Sequence, residues 1–339
     1  MAPKLFLTGG TGYIGGSVLH TLATAHPDYD ITVLLRNIPP TFTTTYPRIN
    51  VVLGDYDSAD LLAAHAAATD IVIHSGDSDH EPSLAALLSG LRRPRPSPGY
   101  LIHLSGTGIV ADWQDEALLG KLNPKVWSDV SSLGEIQALP WTALHRNTER
   151  ILHAEAAQGG GQVNVAIMCP PDIYGRGKGL GKARSAFVPF FVQEARRVGR
   201  VFYYGEGANT RSWVHIDDLM RVYLRVVEAA VAGGSAAVDF FNGNGYYFAG
   251  TQEHSHLEVA RVVGRVLHQG GVIEDPEPMQ VNLEQLDLML KPIMPGLSRY
   301  LFASNSRTRA ERAESLFGYR GEAPRLSEAL PHDVLDCLH

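Results

Sequence analysis

Short apolar runs recur through the first third of the chain, separated by segments with helical spacing. Lys4–Thr8, Ile31–Leu35, Asn50–Leu53, Asp70–His74 and Tyr100–Leu104 read as strands. Between them, Tyr13–His26 puts Ile14, Val18 and Leu22 on one helical face and stops before Pro27, while Asp60–Ala68 and Glu81–Leu91 predict shorter helices. Thr142–Gln158 reads as another helix, stopped by Gly159-Gly160-Gly161, and Val163–Met168 as a sixth strand. Parallel strands need crossover helices, so this alternation predicts an α/β fold with a Rossmann-type, doubly wound parallel sheet. From Phe187 the alternation fades. Residues 1–186 are therefore expected to form the first domain, some later segments returning to it, and 187–339 mainly a smaller, mixed α/β substrate domain. Arg92–Gly99 reads as a basic, solvated connector, and the polar stretch Ala111–Pro140 as an insertion or a lid over the carboxyl ends of the strands.

The turn between the first strand and the first helix carries the clearest chemistry. Thr8-Gly9-Gly10-Thr11-Gly12-Tyr13-Ile14-Gly15 spaces Gly9, Gly12 and Gly15 three apart. Glycines allow a tight turn and a close backbone approach, and the helix N-terminus offers unpaired N–H groups to a pyrophosphate. The strand–turn–helix context makes this a dinucleotide site, so 1–186 is expected to be the NAD(P)-binding domain. Arg36 closes the second strand, 21 residues after Gly15, where an acid would accept from a ribose 2′-hydroxyl. Arginine there favours the 2′-phosphate of NADP. Asp55 either meets the adenine edge or caps a turn, and Ser75 and Gly76 are expected near the nicotinamide ribose.

Composition narrows the class. Among 339 residues, 29 Lys+Arg against 36 Asp+Glu give a formal charge of -7, which argues against a general nucleic-acid binder. Two cysteines, Cys169 and Cys337, cannot build a disulfide scaffold, and no apolar run is long enough to span a bilayer. A cytoplasmic monomer or homodimer acting on a small molecule, with neither membrane nor nucleic acid as partner, is the expectation. The run His74-Ser75-Gly76-Asp77-Ser78-Asp79-His80-Glu81 gathers polar groups, but its spacing matches no metal-ligand pattern, and Asp79 is expected to cap the next helix.

Five segments resemble the extended and atypical short-chain dehydrogenase/reductase superfamily, in its epimerase/dehydratase-like and NmrA-like branches. They are Thr8–Gly15, His103–Thr107, Cys169-Pro170-Pro171-Asp172-Ile173-Tyr174-Gly175, Arg211–Asp218 and Leu316–Tyr319. The resemblance implies a catalytic Ser or Thr near Thr107 and a segment around Pro170 and Tyr174 that lines cofactor and substrate. His215 and Asp217 are weaker candidates. The superfamily's chemistry rests on a Tyr-x-x-x-Lys pair on one helical face, the lysine holding the nicotinamide ribose and the tyrosine passing the proton. Here no tyrosine lies between Tyr100 and Tyr174. Aligning on Glu149 puts His145 at the lysine position and Trp141 at the tyrosine position. The literal pair Tyr174 and Lys178 falls in Tyr-Gly-Arg-Gly-Lys, which reads as a loop.

Three functions fit these residues. The first is an NADP(H)-dependent reductase of a small carbonyl or imine-type substrate, with Thr107, His145, Trp141 and Tyr174 as candidates at the reacting centre. In it His145 holds ribose or donates a proton. The second is redox-neutral dehydration, isomerisation or cyclisation. The third is a non-catalytic NADP sensor that binds a protein partner.

Overall fold

The computed structural model describes residues 2–158 and 161–338; Gly159 and Gly160, expected to stop a helix, lie outside them. Strands β1 (Lys4–Thr8), β2 (Asp30–Leu35), β3 (Asn50–Leu53), β4 (Ile71–His74) and β5 (Gly99–Leu104) alternate with helices α1 (Tyr13–Ala25), α2 (Phe42–Thr45), α3 (Ala59–Ala68) and α4 (Glu81–Leu91). With Val163–Cys169 and Tyr246–Phe248 they form a seven-stranded parallel sheet, in the order Tyr246–Phe248, Val163–Cys169, β5, β4, β1, β2, β3. This is the expected doubly wound sheet. The chain reverses direction of travel across the sheet beside β1, where such folds open a crevice. Leu5, Phe6 and Leu7 are wholly buried. A strand covered on both faces needs such a continuous apolar run.

Two apolar cores divide the molecule. One surrounds the sheet and takes in Val214, Ile216, Leu219, Val222, Tyr223, Val226, Tyr246–Ala249 and Tyr319 from late in the chain. The other joins Tyr174, Phe187, Phe191, Phe202, Trp213, Val263, Phe302 and Leu330. Around it stand a three-stranded sheet (Gln252–Ser255, Thr210–His215, Asp172–Tyr174) and a parallel pair, Met279–Val281 with Phe202–Tyr204. Among the described residues no helix is long and apolar enough to cross a membrane.

Three sequence expectations need correction. The helix read as Thr142–Gln158 spans only Arg146–Ala156, and His145 precedes it in the left-handed region, with φ 62°. Arg146 holds the preceding chain off the helix axis, donating to the carbonyls of Leu139 and Gln137. The stretch Ala111–Pro140 is no lid, for none of it is among the described residues lining the main cavity. It is tied down instead: Trp127–Ser128 pairs with Thr308–Arg309, and buried Asp129 accepts from the backbone N–H groups of Phe248 and Arg312. The basic connector is not simply solvated either. Arg92 pairs with Glu155, and Arg95 donates to the carbonyls of Ala66, Ala67 and Thr69 at the end of α3. A cation there satisfies carbonyls that the helix leaves unpaired.

Candidate active site

A cavity of about 530 Å³ runs along the carboxyl ends of β1, β2, β4 and β5. Its floor is the Gly9–Ile14 turn; Arg36 and Asp55 stand on one side, Ser75, Gly76 and Leu104 on another. The second core supplies the opposite wall, through Phe187, Phe190, Leu297, Tyr300 and Leu301.

The turn is built to receive an anion. Gly12 is the N-cap of α1 and makes no side-chain cap, and the first turn carries no acid. The leading N–H groups of α1 are therefore available to a phosphate. The glycines differ in purpose. A Cβ on Gly9 or Gly15 would run into the Ser75 or Gly9 carbonyl, so these two allow the loop to close. A Cβ on Gly12 would meet only the Gly9 carbonyl oxygen, at 3.2 Å. Gly12 is kept open for whatever occupies the cavity. These residues fit a nicotinamide dinucleotide, whose pyrophosphate would meet the turn and whose dihydro form supplies a hydride.

A second glycine-rich segment, Gly175–Lys182, straps the phosphate turn from outside. Gly181 and Lys182 donate their backbone N–H groups to the Thr11 carbonyl at 2.9 and 3.0 Å, and Lys178 donates to Ser17 Oγ. The Tyr13 hydroxyl donates to the Gly175 carbonyl at 2.7 Å. Gly177 and Gly179 lie against Tyr13 and Gly12, where side chains would not fit. The strap carries Lys182 and Arg184 to the cavity wall. Sequence reading missed both. The alternation Gly-Arg-Gly-Lys-Gly-Leu-Gly-Lys was the available signal.

Several expected site residues stand elsewhere. Gly9, Gly12, Tyr13, Ile14, Arg36, Asp55, Ser75 and Gly76 line the cavity; Thr8, Gly15, Thr107, Trp141, His145, Pro170 and Tyr174 are not among its described lining. Thr8 is buried and shares a 2.6 Å hydrogen bond with His74 Nδ1 behind the turn. Pro170 turns its carbonyl to the Thr107 N–H, leaving Pro171 to face the cavity. Thr107 is buried at the head of the short turn Thr107–Val110, and its own carbonyl accepts from Ser306 Oγ. Asp55 lines the cavity, and its carboxylate accepts from Ser58 Oγ and the Asp57 N–H. The Ser58 hydrogen bond, chiefly, lowers its pKa.

Trp141 is 63% exposed and stacks against Arg150, because the helix that should have aimed it inward begins five residues later. Tyr174 is fully buried in the second core. Its hydroxyl donates to the Pro324 carbonyl and accepts from Gln252, and burial pushes its pKa up to about 12. It cannot face substrate. Lys178 sits in the strap rather than on a helix. His215 caps the helix Ile216–Ala232 by accepting from the Asp217 N–H.

His145 is held by an unexpected partner. Asp79 does not cap α4; the His80 side chain does, accepting from the Ser83 N–H. Asp79 Oδ1 lies 2.9 Å from His145 Nδ1 instead. Burial raises the Asp79 pKa, but the bond to His145 and its charge outweigh that and leave it below the usual carboxylate range. The ionised carboxylate keeps a proton on Nδ1 and turns Nε2 toward Gly106 and Gly108. Glu149, the residue used for alignment, is buried and accepts from Ser105 Oγ and the Tyr246 hydroxyl at the far side of this helix.

Residues 140–239 match the model of the NAD dependent epimerase/dehydratase family. The solved dTDP-glucose 4,6-dehydratase of Bacillus anthracis, in complex with NAD, superposes with a TM-score of 0.66 at 16% identity, covering 98% of this chain and 96% of that one. The chain thus resembles epimerase/dehydratase-like proteins in the fold of its large sheet and in residues 140–239. Among curated relatives, the oxidase ucsJ of an Acremonium species is 29% identical across 97% of this chain and 96% of its own length. A dTDP-glucose 4,6-dehydratase of Mycobacterium tuberculosis is 24% identical over 78% of this chain and 77% of its own.

Proposed function

We propose that the protein is an NADP(H)-dependent reductase of a small carbonyl or imine-type substrate with a non-standard proton donor. One observation carries the reading: a single cavity joins the uncapped N-terminus of α1 and Arg36 to an apolar wall of Phe187, Phe190, Leu297 and Leu301. The polar end suits a dinucleotide, and the apolar end suits a compact, uncharged substrate more than a sugar nucleotide. The two carboxylates on the cavity wall are already engaged, Asp55 by Ser58 and Asp172 by Arg211. Arg36 is exposed and able to meet a 2′-phosphate. In this reading residues 1–186 hold the cofactor and the later lobe supplies the substrate wall. The full-length relative named as an oxidase supports redox chemistry on this framework.

Calorimetry with NADPH and NADH tests the cofactor, and NADPH absorbance during incubation with a panel of aldehydes, ketones and imines tests the reaction. NADPH should bind more tightly and be consumed with at least one compound. Equal affinities would remove the NADP assignment. A protein that binds NADPH and consumes none of it across the panel would remove the reductase assignment.

A further inference from the structure

The chain has no tyrosine on the helix where its superfamily keeps one, yet a phenol does reach the turn that follows β5. It comes from the opposite lobe. Tyr300 lines the cavity alongside Leu104 and Ile173. Its hydroxyl stands 3.1 Å from the point a Cβ on Gly108 would occupy, and His145 Nε2 stands 3.4 Å from the same point. Two groups able to move protons, 155 positions apart in sequence, thus converge on one spot beside the cavity. Leu144 Cδ1 stands 3.1 Å from the same point, so glycine at 108 lets these side chains close in, and a Cβ on Gly106 would lie 3.1 Å from His145 Nε2.

The phenol is held in place. Tyr300 lies in a π-helical turn, Arg299–Ala303, a rare backbone form that is frequent at functional sites. The Arg211 guanidinium sits 4.7 Å over the Tyr300 ring and donates to the Tyr300 carbonyl at 2.9 Å. Arg211 is buried and anchored by Asp172 at 2.5 Å, so the ring rests on a fixed ion pair. A cation held against a π face resists displacement of the ring.

We propose that Tyr300 delivers the proton to the substrate oxygen, with His145 and Asp79 behind it as the path to solvent. This rests on the reductase reading above. The carbonyl carbon gains a hydride from the reduced nicotinamide, and its carbon–oxygen π pair moves onto oxygen. That oxygen takes the Tyr300 proton, and the O–H pair stays behind as a phenolate. Solvent protonates His145 at Nε2 while Nδ1 keeps its proton toward Asp79, and the phenolate takes the Nε2 proton, returning the ring to its neutral form. The carbonyl is reduced to an alcohol, the nicotinamide is oxidised, and one solvent proton is consumed. Burial raises the phenol pKa, Arg211 lowers it and Asp172 raises it, the net result lying above the ordinary value. Tyr300 is therefore protonated at neutral pH, as a donor must be.

The test uses the full chain, with 3-fluorotyrosine at position 300 and, separately, Tyr300→Phe. Saturating NADP⁺ should move the ¹⁹F resonance at 300, and Tyr300→Phe should keep its NADPH affinity within about twofold. Single-turnover NADPH oxidation with 4-nitrobenzaldehyde as probe should fall by roughly 10²–10³ in that variant, the contribution of a positioned acid. A resonance that ignores NADP⁺ places the phenol away from the cofactor and overturns the proposal. An active parent with an unimpaired Tyr300→Phe overturns the donor role alone. A parent inert toward the probe and the whole carbonyl panel overturns the reductase reading and the donor role with it.

Discussion

His256 offers a direct test of how burial shapes this protein's acid tolerance. Its ring is buried among Phe187, Phe191, Phe202 and Phe302, and Nε2 donates to the Phe202 carbonyl at 3.0 Å. Burial lowers its pKa from 6.5 to about 4, partly opposed by the Phe202 bond and helped by the nearby Arg211 charge. The unfolded chain takes up a proton near pH 6.5 while the folded one refuses it until about pH 4. Stability from this group is thus complete above pH 6.5 and is lost as pH falls through that window. At about 1.4 kcal/mol per pKa unit, the loss between pH 7 and pH 5 comes to about 2 kcal/mol. Urea unfolding at pH 7, 6 and 5 measures it, with His256→Gln as the control, since an amide can still donate to the Phe202 carbonyl but does not titrate. The variant starts weaker at pH 7, and the gap to the parent should close by about 2 kcal/mol at pH 5. His74, lowered to about 4, adds loss in the same direction, whereas Asp129, raised to about 6 by burial, acts oppositely; both cancel in the comparison. Parallel stability curves for parent and variant would refute the argument.

The cavity supports further outcomes. Gly12→Val should abolish NADP(H) binding by calorimetry yet leave the melting temperature almost unchanged, because its side chain enters the cavity and meets little protein. Gly15→Ala should instead yield unfolded protein, since its Cβ would strike the Gly9 carbonyl; circular dichroism separates the two cases. Arg36→Ala should weaken NADPH by about tenfold or more and leave NADH nearly untouched, so an equal loss for both would show that the arginine meets no 2′-phosphate. Lys178→Ala should bind NADPH almost normally; a loss of about a hundredfold would make it the ribose lysine after all.

What the sequence alone determined is whatever depends on neighbours along the chain. The first strand, the glycine turn and the uncapped start of α1 are local: a run of buried apolar residues, closely spaced glycines and a helix end, all within the span Leu5–Gly15. Arg36 follows from the same logic, since the end of one parallel strand fixes what stands beside the next. The reacting centre does not. The sequence put Trp141 and His145 on one helical face, but His145 takes a left-handed backbone and Trp141 never joins the helix. Two carbonyls of the preceding loop draw Arg146 away, a competition between tertiary hydrogen bonds and helical spacing that periodicity does not register. Asp79 looked like a cap and became the partner of His145, because α4 found its cap in the next residue. Tyr300 carried no motif at all. Only the packing of the second core, with Arg211 and Asp172 fixed between the lobes, brings its hydroxyl across to Gly108. Contacts between residues so far apart are set by how two cores dock, and that shape is decided by the whole chain at once.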